Sequence, residues 1–187
     1  MSEPGPQAIP SMTATTYHLW LKPTGASYEI LAGLIDDLAK KLSAPVFEPH
    51  LTLLGHLEGS ERDNIQRARR LGERLEPFWI ALGNASYQSE YFKCLFLKVN
   101  QSAPIMTAHA IACEVFQRTR ETYMPHVSLV YGTYPEERKR EIIAGVSRRP
   151  LRASMPVRSV YLIRADSEDP KDWSEILNIP MMGTGKP

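Results

Sequence analysis

Two short segments of this 187-residue chain are near copies of one another, 76 residues apart: His50-Leu51-Thr52-Leu53-Leu54-Gly55 and His126-Val127-Ser128-Leu129-Val130-Tyr131-Gly132. Each follows a proline, Pro49 or Pro125, and each has a long amphipathic segment upstream. On a strand, residues i and i+2 face the same way. His50 and Thr52 therefore share one face and Leu51 and Leu53 the other, and the second copy divides in the same manner. Each strand buries an aliphatic side and presents an imidazole and a hydroxyl. The expected fold is internally duplicated, with two lobes whose polar strand faces line one cleft. A period this long in two copies is not a solenoid.

The remaining elements fit that frame. Thr16 to Lys22 alternates as a strand stopped by Pro23. Ser27 to Leu42 carries Ile30, Leu31, Leu34, Ile35, Leu38 and Leu42 at helical spacing. After the strand from His50 to Leu57, Ser60 to Leu75 reads as a charged helix with Ser60 as its cap and Asp63 in its first turn. Strands are expected at Phe78 to Tyr87 and Phe92 to Val99, then a helix from Pro104 to Thr119. The strand His126 to Tyr131, a helix from Pro135 to Val146, and closing strands Arg158 to Arg164 and Glu175 to Ile179 complete the pattern. Back-to-back strands among the helices predict an α+β fold, two-lobed and pseudo-symmetric, with mainly antiparallel sheets facing a central cleft and helices outside. Residues 14–180 form the single bilobal domain. The Pro/Gly/Ser-rich residues 1–13 and residues 181–187 are expected to be tails.

A cleft holding two imidazoles and two hydroxyls suits one kind of reaction. Histidines near pKa 6.5 serve together as base and acid, one neutral and one protonated. Opening a cyclic phosphodiester needs both: a base for water and an acid for the leaving sugar oxygen. The hydroxyls of Thr52 and Ser128 would donate to the non-bridging phosphoryl oxygens. His18 shares strand parity with Trp20 and could reach the cleft. His56 shares a face with His50 and Thr52, so His50, His56 and His126 raise the question of zinc; no carboxylate or Cys stands at ligand spacing beside them. No metal and no cofactor is expected. His109 reads as a structural histidine, and Tyr17 and Phe96 as core.

Composition narrows the partners. Lys plus Arg is 22 against 21 Asp plus Glu, a net charge of +1, which provides no field for concentrating a polyanion. The arginines of the second helix (Arg62, Arg67, Arg69, Arg70, Arg74) are interleaved with Glu61, Asp63, Glu73 and Glu76, the pattern of a salt-bridged solvated face. Arg138 to Arg140 and the run Arg148, Arg149, Arg152 are ambiguous in the same way. Gly183-Thr184-Gly185-Lys186 lacks the spacing and the following helix of a phosphate loop. Cys94 and Cys113, the only cysteines, read as free thiols of a reducing compartment. No apolar run is long enough to span a bilayer. The expectation is a soluble cytoplasmic monomer with a small-molecule substrate, no membrane and no stable nucleic-acid complex.

The paired H-x-[ST]-x motifs make the chain similar to the 2H phosphoesterases. It most resembles the plant and fungal cyclic phosphodiesterase branch, above all in Tyr123-Met124-Pro125-His126-Val127-Ser128-Leu129-Val130-Tyr131. The likeness runs from the YHLWLKP opening to the WSEILNIP close. It implies a hydrolase of ADP-ribose 1'',2''-cyclic phosphate and nucleoside 2',3'-cyclic phosphates, acting without metal. By this resemblance His50, Thr52, His126 and Ser128 are the catalytic tetrad, with His126 activating water and His50 protonating the leaving oxygen. Trp20, Tyr131 and Phe92 match aromatics that bind the family's substrates. Tyr131 raises a question of parity, since it faces away from His126 unless the strand ends or bulges before it. An RNA-end enzyme (a 2',5' ligase or phosphodiesterase) and a catalytically silent nucleotide-binding module are the alternatives.

Overall fold

The computed structural model describes residues 15–120, 122–147 and 154–183. The expected N-terminal tail 1–13, the run Arg148, Arg149 and Arg152, and residues 184–187 lie outside them. The chain runs β1 (Thr16–Leu21), α1 (Ala26–Leu42), β2 (Leu51–Leu57), α2 (Glu61–Arg74), β3 (Phe78–Tyr87), β4 (Leu95–Val99), α3 (Ala103–Val115), β5 (His126–Val130), α4 (Glu136–Val146), β6 (Ser154–Val157), β7 (Ser159–Ala165) and β8 (Trp173–Pro180). Short 3-10 turns at Tyr91–Lys93 and Pro170–Asp172 precede β4 and β8.

The strands form one sheet in the order β6-β3-β4-β5-β2-β1-β7-β8, and every neighbouring pair is antiparallel. The duplication is visible in this order. β1-α1-β2 and β4-α3-β5 are the same unit, two antiparallel neighbours joined through a helix. The units meet where β2 pairs β5 through Leu51 and Val127. The lobes are thus halves of one continuous sheet.

Local chemistry sets the helix ends. Ser60 Oγ caps α2 by accepting from the Asp63 N–H at 3.1 Å, as N-cap hydroxyls do. α3 ends at Val115, earlier than the expected Thr119, because Gln117 turns left-handed at φ 56°. The Arg118 N–H then closes the end on the Cys113 carbonyl at 2.8 Å, the reversal typical of an αL terminus. The arginines of α2 reach across to α3. Arg74 makes a bidentate bridge to Glu114 (3.2 and 2.9 Å), and Arg67 donates to the Phe116 carbonyl at 3.1 Å. On its other side α2 presses closely on β8. A Cβ at Gly72 would collide with Ile179 Cγ2 and lie 2.8 Å from the Pro180 carbonyl oxygen.

The strand expected from Phe92 begins only at Leu95, since Tyr91–Lys93 coils into a 3-10 turn. β6 has no counterpart among the expected strands; it is short, interrupted by Pro156 and placed at the sheet edge, where a missing N–H costs no ladder bond. Met181 to Gly183, expected as tail, continue the packed chain: their N–H groups donate to Arg158, Gly72 and Leu75 carbonyls at 2.9 Å each. The aliphatic faces of the two motif strands, Leu51, Leu53, Val127 and Leu129, are buried in the core. Cys94 and Cys113 are both buried thiols. Among the described residues, no helix is long and apolar enough to cross a membrane.

Candidate active site

The seam between the halves builds the site. Leu51 stands opposite Val127 in an antiparallel pair. One step along that register sets His50 beside Ser128 and Thr52 beside His126. Each imidazole thus faces the hydroxyl of the other motif, on the face opposite the buried aliphatics. Directly opposed Cβ atoms lie about 4.5–5.5 Å apart. All four side chains line a single cavity of about 390 Å³, in the range of small-molecule sites.

Both imidazoles are held in the same way. His50 Nδ1 lies 2.6 Å from the Glu48 carbonyl, and His126 Nδ1 lies 2.9 Å from the Met124 carbonyl, two residues back in each case. A carbonyl only accepts, so Nδ1 carries the hydrogen in both rings and each Nε2 is left for chemistry. Their surroundings differ. His50 is 6% exposed, its ring lying flat on Trp20 with centroids 3.5 Å apart. Burial pushes its pKa down to about 3, the Glu48 hydrogen bond opposing and nearby His18, His126 and Lys22 assisting. His126 is half-buried, with Phe96 edge-on at 5.2 Å. Its pKa is also lowered by burial, against the Met124 hydrogen bond. The buried Lys22 bridges Glu48 and Glu175 at 2.7 Å each, anchoring the residue whose carbonyl holds His50.

The aromatics form a cage around His50. Trp20 pairs across the ladder with Thr52, which puts it on the tetrad face. β5 ends at Val130, so strand parity stops before Tyr131. The Tyr131 hydroxyl reaches within 3.4 Å of His50 Nε2 while its ring stacks on Phe47 at 3.8 Å. Burial raises its phenol pKa, which Ser128 opposes. Phe92, carried by the 3-10 turn, lines the cavity between Tyr131 and Trp173, and its carbonyl accepts from Ser128 Oγ at 2.9 Å.

Two further aromatics of the site are not marked as such by the motifs. Phe96 stands 30 residues before His126, as Trp20 stands 30 before His50, so the duplication itself points to it. Trp173, at the start of β8, lies 5.6 Å from Trp20 and 6.2 Å from His50; nothing in the motif spacing points to it. His109 lies in α3, stacked on Tyr123 at 3.9 Å, and the Tyr123 hydroxyl donates to the Thr52 carbonyl at 3.0 Å. His18 and His56 both line the cavity, with rings 5.2 Å apart. Among the described residues, no group of three or more His, Cys, Asp or Glu is placed to hold a metal ion.

Residues 15–152 match the model of the cyclic phosphodiesterase-like protein family. The chain belongs to that family. It is 27% identical over 127 residues to the cyclic phosphodiesterase of Arabidopsis thaliana, covering 66% of this chain and 69% of that relative. Among solved structures, TT0787 of Thermus thermophilus is 20% identical and superposes with a TM-score of 0.60, covering 90% of this chain and 98% of the other. LigT of E. coli in complex with 3'-AMP is 12% identical with a TM-score of 0.60, covering 90% and 99%. These two share the fold. Membership in the family makes the chain a phosphodiesterase that hydrolyses cyclic phosphodiesters.

Proposed function

We propose that this phosphodiesterase opens the cyclic phosphates of small nucleotides without a metal. In this reading it converts nucleoside 2',3'-cyclic phosphates to 2'-phosphates and ADP-ribose 1'',2''-cyclic phosphate to ADP-ribose 1''-phosphate. The supporting observation is the cross-strand tetrad, in which each Nδ1 donates to a carbonyl and Nε2 is the ring atom that can exchange a proton, His50 Nε2 with the Tyr131 hydroxyl 3.4 Å away. His126, the more exposed ring, takes a proton from water. The water oxygen attacks phosphorus, and the bond from phosphorus to the departing sugar oxygen breaks. His50, at the enclosed end, supplies that oxygen with the proton on its Nε2. The hydroxyls of Thr52 and Ser128 donate to the non-bridging oxygens, Ser128 exchanging its Phe92 carbonyl acceptor for the phosphoryl group.

His50 is neutral in the empty cavity at pH 7, since its pKa is about 3. The negative charge of a bound phosphodiester favours the imidazolium and loads the acid. Trp20 and Tyr131, both nearly fully buried, hold His50 in place. Phe92 and Trp173, which keep part of their rings open to the cavity, offer stacking surface to a base. The bound 3'-AMP of LigT agrees with a nucleotide-sized ligand.

Phosphorus NMR on adenosine 2',3'-cyclic phosphate and ADP-ribose 1'',2''-cyclic phosphate, in the presence of EDTA, tests the reading. The expected products are the 2'-phosphate and the 1''-phosphate. Loss of activity in EDTA, or full activity in a His50→Ala, His126→Ala double variant, overturns it.

A further inference from the structure

The cavity lining also includes His18, Gly55, His56, Arg118, Thr119 and Thr122, which the chemistry of the tetrad does not use. Separate backbone features bring their side chains together. Tyr17 pairs with Leu57 but Leu19 with Leu54, so β2 carries one extra residue opposite His18. Such a bulge re-aims side chains. Within it His56 takes the left-handed φ of 52°, a conformation costly for a residue with a Cβ. From the other side, the reversal at the end of α3 sets Arg118 in place, and its Nη1 donates to the His56 carbonyl at 2.9 Å.

The same Nη1 also lies 3.5 Å from the Gly55 carbonyl; the two contacts use one nitrogen of a guanidinium with five N–H donors, and among the described residues Arg118 has no carboxylate partner. Lys93, another cation of the cavity, is paired with Glu90 at 2.9 Å. The cavity also holds a carboxylate oxygen, Glu168 Oε2, buried with no hydrogen-bond partner among the described residues. Glu168 is close enough to Tyr91 to raise its phenol pKa. Of the lysine and arginine that line the cavity, Arg118 is the one without a carboxylate partner among the described residues, and so the one with charge to offer an anionic group on the substrate.

A Cβ on Gly55 would touch both Thr52 Cγ2 (3.5 Å) and His18 Nδ1 (3.2 Å), which sets this part of the cavity about one sugar's span from the tetrad. We propose that His18, His56 and Arg118 form a subsite for a second phosphoryl group, so that the cavity selects cyclic phosphates whose sugar also bears a 5'-diphosphate. ADP-ribose 1'',2''-cyclic phosphate has this arrangement, its diphosphate standing on the ribose that carries the cyclic ester. A simple nucleoside 2',3'-cyclic phosphate lacks it. The assignment rests on the tetrad being where the cyclic ester is opened.

The test compares adenosine 2',3'-cyclic phosphate bearing a 5'-hydroxyl with the same molecule bearing a 5'-diphosphate. The expected result is a KM at least about tenfold lower for the diphosphate, the size of one charge-assisted contact. Arg118→Gln should lower the ratio of kcat/KM for the two substrates by about the same factor. His56→Gly removes the ring while suiting the left-handed backbone, and should lower the ratio in the same direction. Equal KM values in the wild type, or variants that lose both substrates alike, overturn the subsite. If neither substrate is turned over, the hydrolytic reading falls, and calorimetric binding of the same pair decides the subsite by itself. Tighter binding of the diphosphate, abolished by Arg118→Gln, supports it, and equal binding overturns it.

Discussion

Acid should unfold this protein in large part through its buried imidazoles. In the folded chain the His50 pKa is about 3 and the His18 pKa about 4, burial being the leading cause in both. In the unfolded chain each returns to about 6.5. Between those values the unfolded state binds protons that the folded state refuses, so stability is full above pH 6.5 and falls as the pH drops. At pH 4.5 each group contributes a loss of about 2.6 kcal/mol, or about 5 kcal/mol together. His126, shifted in the same direction, adds to it. Domains of this kind hold about 5–15 kcal/mol in total, so the loss removes a third or more of the stability. Urea unfolding at pH 7.5, 5.5 and 4.5, followed by fluorescence of the three tryptophans, measures it. His50→Gln should flatten the pH dependence by about half of the two-group loss, whatever its stability at pH 7.5. Parallel pH dependences for the wild type and His50→Gln would refute the reasoning.

The same titration shapes the rate. Because kcat/KM reports the free enzyme, its optimum should lie below pH 6.5, and the kcat optimum should lie higher, since the bound phosphodiester raises both imidazole pKa values; a kcat/KM optimum above pH 7 would contradict this. Lys22→Met removes a buried cation that depresses the His50 pKa, so the acid limb of kcat/KM should move to higher pH while the buried volume stays filled; an unmoved limb counts against the coupling. Gly72→Ala would push a methyl into Ile179 Cγ2 and to 2.8 Å from the Pro180 carbonyl, and should cost about 1–3 kcal/mol of stability, read as a lowered urea midpoint with kcat unchanged.

Much of the site was legible because its chemistry is written at strand period. The i, i+2 placement of His50 with Thr52 and of His126 with Ser128 fixes which side chains share a face, and the 76-residue repeat implies that two such faces meet. Phe96 reads as core and is buried, yet it also packs edge-on against His126; the 30-residue interval that it shares with Trp20 is the signal that could have marked it. Other features had no local trace. Trp173 comes from the last strand, and β6 is too short and too interrupted by Pro156 for periodicity to register. The coil at Tyr91–Lys93 that delivers Phe92 breaks a run of residues that reads as strand.

By itself, then, the sequence determined the duplicated unit, the polar face of each motif strand and the four groups that stand on those faces, since side-chain direction along a strand follows from backbone geometry alone. Only the tertiary structure decided that Leu51 meets Val127, and with it that each histidine faces the other motif's hydroxyl. It also decided that His50 is stacked, enclosed and neutral while His126 stays accessible, and that a bulge and a helix end turn His56 and Arg118 into the same cavity. Register across distant strands and the loss of water around a ring depend on the whole assembled sheet, which no local pattern of residues specifies.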